Sequence, residues 1–442
     1  MKFWLNLFAF AAVGHLTLAL GPNMICYYDA SSEDRVGQAK FTIQDIESVI
    51  QFCTHLVYGY VGIDPETFEI ISLNVQRDVK KRHFAAVTEL KDRYPSTKFL
   101  LSVGGDKDLN KPEKYINLLE SGKANQTKFI ESARDVLRAY NFDGLDLAFQ
   151  LPRNKPLKVH SEIGQVWKSF KKFFSGDQIV DEKSDEHKEQ FTELVKDIRM
   201  AFRTYDLMLT LTVLPNVNSS WYFNAPAIIN NLDYVNLAAF DFTTPERNPH
   251  EADYTAPLFH LPQEGNRMTH YSVDYQVDHW ISQRVPHSKI NVGITTYGRA
   301  WKMTTESKAD GLPIVQHTDG PAPAGEETKT EGLLKYSEIC QLTSPWKVDR
   351  KGDESPIKRI VDRTHKYGVY AYRSADSKGE NGMWVSFEDT DTVATKATYV
   401  RNRGLGGVAL FDLSMDDFRG NCANEKFPLL KAIKYKFCER CI

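Results

Sequence analysis

The stretch Phe142-Asp-Gly-Leu-Asp-Leu-Ala-Phe-Gln-Leu-Pro152 anchors the reading of this chain. Its apolar residues are nearly continuous, as in a strand buried on both faces of a parallel sheet. Side chains alternate along a strand, so Asp146, Ala148 and Gln150 share one face and Leu145, Leu147 and Phe149 the other. A polar row that points inward and ends at the strand's C-terminal end is where barrel enzymes place catalytic groups. The same pattern suits a core strand with a structural aspartate and a turn after it, and the segment alone does not separate the two.

Seven further runs of this kind flank it: Asn23–Tyr28, His55–Gly62, Lys98–Val103, Leu207–Leu214, Tyr234–Phe240, Lys289–Thr295 and Gly407–Phe411, with Gly144–Gln150 as the fourth in order. Helical patterns fall between them. Val79–Tyr94 sets Phe84, Val87 and Leu90 at three-residue steps, and Lys128–Tyr140, Glu189–Tyr205, Ser272–Arg284 and Asp389–Arg403 are similar. Eight strands each followed by a helical segment is the count of an α/β (β/α)8 TIM barrel. A doubly wound open sheet uses the same alternation. Length alone, 442 residues with 42% hydrophobic, suggests about three domains, but barrels exceed 200 residues as one unit.

Two stretches break the alternation. Residues 152–188 are polar and charged and delay the helix after the fourth strand. Residues 300–382 separate the seventh and eighth strands, too far for a structureless loop, and contain strand-like runs at Lys366–Tyr372 and Gly382–Phe387. We expect a small α+β domain inserted there. The division is then a leader at 1–21, barrel strands one to seven at 22–299, the insertion at 300–382, and the eighth strand, last helix and tail at 383–442.

Lys2 followed by the apolar run Phe3–Leu20, with small residues at Ala19 and Gly21, is a secretory leader pattern. Asn6 and His15 interrupt the run, which barely reaches the roughly 20 residues of a membrane span. The net charge of −3 offers no basic stripe for nucleic acid. The local basic run Lys155, Lys158, Lys168, Lys171 and Lys172, followed by acids from Asp177 to Glu186, reads as a solvated surface. Six cysteines outside the leader fit an oxidising compartment, and they allow 15 pairings. Cys438 and Cys441 form a CxxC at the end of the sequence, where no helix can follow, and no second CxxC completes a zinc site, so a redox or zinc role is not expected. Asn125 and Asn218 open sequons, both between apolar runs where loops are expected.

Several motifs in order resemble those of family 18 chitinases. Phe142-Asp-Gly-Leu-Asp-Leu resembles the signature that continues Asp-Trp-Glu-Tyr-Pro in that family. Lys98-Phe-Leu-Leu-Ser-Val-Gly-Gly105 resembles the third-strand motif, Tyr234-Val-Asn-Leu-Ala-Ala-Phe-Asp241 the sixth, Val292-Gly-Ile-Thr-Thr-Tyr-Gly-Arg299 the seventh and Gly404-Leu-Gly-Gly-Val-Ala-Leu-Phe411 the eighth. The resemblance runs from about Asn23 to Leu430 and implies an α+β insertion after the seventh strand. It also implies substrate-assisted chemistry: a glutamate protonates the leaving oxygen, the substrate's N-acetyl oxygen attacks, and an aspartate two residues earlier supports that group.

The departures fall on this machinery. Gln150 stands at the glutamate position and Ala148 at the aspartate position. Glutamine has no carboxyl proton, and general acid catalysis supplies roughly 10²–10⁴-fold. Phe240, followed by Asp241, replaces a tyrosine whose hydroxyl holds the N-acetyl group. Phe411 and Asp106 replace tryptophans. Of the acidic row Asp146 remains, with Asp143 in the preceding turn. Tyr27, Tyr297 and Trp384, and with them Trp221 and Trp301, are candidate carbohydrate contacts.

The frame, the glutamine and the extra segment together resemble the imaginal disc growth factors, secreted chitinase-like proteins of insects. That resemblance implies no enzyme, and the sequence offers no cofactor or metal site. It implies promotion of cell proliferation, polarisation and motility with insulin, through an unidentified cell-surface receptor, and links to cuticle, chitin organisation and wound response. It further implies disulfides Cys26–Cys53 and Cys340–Cys422, with Cys438 and Cys441 outside the common pattern. A chitin or N-acetylglucosamine lectin is the alternative, and residues 152–188 are the candidate receptor surface.

Overall fold

The computed structural model describes residues 21–152, 181–262, 267–309, 314–343 and 357–437. Residues 1–20 of the expected leader, residues 153–180 of the extra segment with its basic run, and Cys438 and Cys441 lie outside them. Among the described residues no helix is long and apolar enough to cross a membrane.

Eight parallel strands close into a barrel. They are Asn23–Asp29, His55–Ile63, Lys98–Gly104, Gly144–Ala148, Met208–Val213, Tyr234–Leu237, Ile290–Thr295 and Gly407–Phe411, and the last pairs with the first. Closure excludes the open doubly wound sheet. Alternation sorts the first strand: Met24, Cys26 and Tyr28 face the surrounding helices, while Ile25 and Tyr27 face the interior beside Val57, Leu100, Phe240, Ala409 and Phe411. Both faces are apolar, which is why these strands read as unbroken runs.

Local differences have local causes. The helix expected at 79–94 is broken into Gln76–Lys80, His83–Thr88 and Glu89–Asp92, with Arg82 in the left-handed region (φ 56°). Asp78 is fully buried and accepts bonds from Tyr58 (2.6 Å) and Ser72 (2.5 Å), which holds the first turn against the barrel. The helix expected from Lys128 begins at Lys123, so Asn125 lies in its first turn and not in a loop. Asn218 caps a short helix, its side chain accepting from the Ser220 N–H. The fourth strand stops at Ala148 and the sixth at Leu237, short of Gln150 and Phe240.

Between the seventh and eighth barrel strands lies an antiparallel sheet. Tyr297–Met303 pairs with Thr318–Pro321, Leu333–Lys335 and Met383–Phe387, and Val369–Arg373 and Lys358–Val361 continue it. It spans Tyr297 to Phe387, wider than 300–382. One face buries Ala300, Val385 and Phe387, the other Trp301 and Trp384.

Cys26–Cys53 ties the first barrel strand to the approach of the second, and Cys340–Cys422 joins the helix Tyr336–Thr343 to the segment after the eighth strand. The second bridge closes a separation of 82 residues. Asp417 lies beside it, but the two sulfurs are bonded to each other, and the carboxylate accepts from the N–H groups of Gly420, Asn421 and Cys422.

Candidate functional site

The inward row of the fourth strand divides by depth. Asp146 lies at the barrel centre with no exposure. It accepts hydrogen bonds from Thr210 (2.7 Å), Ser102 (2.7 Å), Thr212 (2.8 Å) and Tyr27 (3.1 Å). Burial pushes its carboxyl up, and these hydroxyls pull it back. Asn236 donates to the Tyr27 hydroxyl and Asn291 to Asn236, so the network crosses the barrel. Asp146 is therefore a structural acid locked in the core.

Above it, Ala148 is buried and Gln150 turns sideways. The Gln150 amide Nε2 donates to the Gly105 carbonyl at 2.6 Å, and the Gly105 N–H donates to the Ala148 carbonyl at 2.8 Å. The end of the fourth strand is thus bound twice to the turn after the third. Gly105 is required there: its φ is +63°, and a Cβ would lie 2.3 Å from the Tyr60 ring. Asp143 belongs to the opposite end of the barrel. It accepts from the Phe99 N–H at 2.7 Å and pairs with Lys91 at 3.0 Å, at the N-terminal ends of the strands, so it takes no part in the site.

A cavity of about 320 Å³ opens at the C-terminal ends of the strands. Asp29, Tyr60, Lys107, Asn216, Phe240, Tyr297 and Phe411 represent seven of the eight strands or the loops that follow them. Among the described residues, none from the end of the fourth strand lines it. Phe411 forms part of the floor, stacked on Tyr27 with centroids 4.0 Å apart, and meets Phe240 edge-on at 5.1 Å.

The polar lining is mostly paired. Arg299 grips both oxygens of Asp241 (3.1 and 2.6 Å), and the Tyr297 hydroxyl donates to the same carboxylate at 2.9 Å. Burial and then Asp241 push the Tyr297 phenol up, so it acts as a neutral donor. Asp29 sits between Arg35 (3.5 Å) and Lys107 (3.4 Å). The loop carrying Asp106 and Lys107 is fixed beneath by a buried pair, Lys114 to Asp108 at 2.6 Å, to which the Tyr115 hydroxyl also donates. Asp412 accepts from the Ser414 N–H (2.7 Å) and hydroxyl (2.5 Å) through Oδ1 alone. Burial, then the Asp29 carboxylate, push it up to about 6.

Of the aromatic contacts expected from sequence, Tyr297 alone lines the cavity. Tyr27 is 1% exposed and lies under Phe411. Trp384 and Trp301 are 0% exposed and pack edge-to-face on each other in the antiparallel sheet. Trp221 packs partly buried against the barrel's outer core. Asp106, Phe240, Asp241 and Phe411 do line the cavity. Asp29, Arg35, Lys107, Glu246 and Asp412 also line it and were missed. Their shared signal was position, since Asp29 and Asp412 lie just past strand ends read as Tyr28 and Phe411.

Comparison with known proteins accords with this geometry. Residues 23–416 match the model of glycosyl hydrolases family 18, and the chain belongs to that family. Over 435 residues, 98% of each chain, it is 54% identical to Chitinase-like protein Idgf3 of Drosophila melanogaster. It is 50% identical over 439 residues to Chitinase-like protein Idgf2 of the same species, covering 99% of this chain and 100% of the other. Within the family it therefore falls among the imaginal disc growth factors. Among solved structures, it resembles Ostrinia furnacalis Group IV chitinase in complex with allosamidin, with a TM-score of 0.77 and 27% identity over 95% of this chain and 99% of that one. It is also similar to human YKL-39, described as a pseudo-chitinase with retained chitooligosaccharide binding properties. There the TM-score is 0.74 and the identity 25%, over 94% of this chain and 99% of the other.

Proposed function

We propose that this chain is a secreted, non-enzymatic chitinase-like growth factor. In this reading it promotes cell proliferation, polarisation and motility together with insulin, through a cell-surface receptor, and contributes to cuticle and chitin organisation and to wound response. One observation carries the non-enzymatic part. Among the described residues the cavity draws on seven strands and not on the fourth, where Gln150 is bonded to Gly105 and Ala148 supplies no carboxylate. A general acid must reach the leaving oxygen and hold a proton. Gln150 does neither, and the one remaining acid of its row, Asp146, is sealed in the core. Two disulfides fit an oxidising compartment and hence secretion.

The signalling part is supported by kinship to the chitinase-like Idgf proteins. Purified protein should stimulate growth or movement of cultured insect cells, more so with insulin. No response with or without insulin would refute it. Deleting residues 152–188 tests the expected receptor surface, and full activity of the folded deletion variant would discard it.

The cavity favours a second reading alongside the first: binding of a sugar oligomer without hydrolysis. It is open and walled by Phe240, Tyr297 and Phe411, and YKL-39, of like fold, is described as retaining chitooligosaccharide binding. Calorimetric titration should give heat of binding with chitin oligomers at millimolar sugar. Its absence would remove the sugar reading and leave the growth-factor reading intact.

A further inference from the structure

The cavity's charges are unevenly satisfied. Arg299 is held by Asp241, Arg35 by Asp29 and Ser414, and Lys107 by Asp29 and Asp106. Asp412 differs. Ser414 occupies its Oδ1, and among the described residues nothing hydrogen-bonds its Oδ2 and no cation lies within ion-pair distance, although the charges of Arg35 and Lys107 reach it. Glu246, exposed on the same rim, makes no close ion pair among the described residues, its charge reaching only Arg299. The rings of Phe240, Phe411 and Tyr297 line the same cavity, with Phe240 edge-on to both neighbours. Aromatic faces attract cations and the C–H faces of sugars. Phe240 has no hydroxyl to offer an acetamide oxygen.

We propose that this cavity selects sugar oligomers bearing free amines, β-linked glucosamine over N-acetylglucosamine, by pairing an ammonium with Asp412 beside the Phe240–Phe411 wall. The proposal rests on the sugar-binding reading above and names its ligand. An ammonium satisfies the vacant carboxylate oxygen and offsets the repulsion between Asp412 and Asp29. A neutral acetamide donates at most one weaker bond. The upward push on Asp412 from burial and Asp29 agrees, since a nearby cation relieves both. Among the described residues, the groups facing Asp412 are Asp29 and Arg35 after the first strand, Tyr60 of the second, Lys107 after the third, and Ser414 of its own loop.

The test is calorimetric titration of the full chain near neutral pH with three tetramers: glucosamine, N-acetylglucosamine and, as a neutral control, cellotetraose. The glucosamine tetramer should bind about tenfold tighter than the acetylated one, the margin of one charge-assisted bond. Asp412→Asn should abolish that margin. Glu246→Gln, on an exposed side chain, should narrow it about threefold, and it keeps the test decisive if Asp412→Asn does not fold. Equal or tighter binding of the acetylated tetramer overturns the proposal while the sugar reading stands. A margin that survives both substitutions overturns the assignment to these carboxylates. Failure of all three tetramers removes the sugar reading and the proposal together.

Discussion

The fourth barrel strand and the seven around it have parted in character. The seven send side chains into an open cavity with aromatic walls and acids. The fourth ends in Ala148 and Gln150, bound to the Gly104–Gly105 turn, and its acid lies deep in the core. A barrel places chemistry at its strand ends and stability in its layers. Here, among the described residues, the fourth strand serves the second task while its neighbours shape a cavity. In the proposed reading binding and catalysis are separable, because the residues that enclose the cavity and the position expected to move the proton sit on different strands.

The comparison breaks hardest at Asp146. Asp146→Ala leaves the hydroxyls of Ser102, Thr210, Thr212 and Tyr27 without their shared acceptor, and should cost about 3–5 kcal/mol in urea unfolding. A loss below about 1 kcal/mol would show that the acid is not structural. The rim should respond through pH. The folded-state value of Asp412 is raised from 3.8 to about 6, so its contribution is fully present below the unfolded value and is lost as pH rises through about 6. Asp412→Asn, which stays neutral, should gain about 1–3 kcal/mol on the wild type between these two pH values. A difference that does not change with pH would contradict the Asp29–Asp412 repulsion. Smallest is Gln150→Ala, which removes one partly solvated bond to Gly105 and should cost about 1 kcal/mol, with the melting temperature as readout.

Much of this was legible before the structure. The eight strands announced themselves because strands covered on both faces need continuous apolar runs, and Gly144–Ala148 is as plain as any. The helix break at Arg82 was not legible, since it depends on Asp78 finding Tyr58, a contact between separate elements. The site was read unevenly for the same reason. Residue type marked Gln150 and Ala148 as departures. Type did not reveal that Tyr27 lies beneath Phe411, or that Trp384 is sealed inside the antiparallel sheet. An aromatic ring suits a core and a sugar platform equally, and only the pleat and depth decide. Asp29 and Asp412 escaped notice because one residue at a strand end separates ladder from rim.

The central claim is that the fourth strand has left the reaction centre and that this loss exceeds one carboxylate. Turnover of a chitin oligomer by the single variant Gln150→Glu tests it most directly. With Ala148 and Phe240 unchanged, and the new carboxylate facing the Gly105 carbonyl, the variant should release no more sugar than the wild type. Robust hydrolysis by the repurified variant would show that one acid was all the site lacked, and would contradict the account.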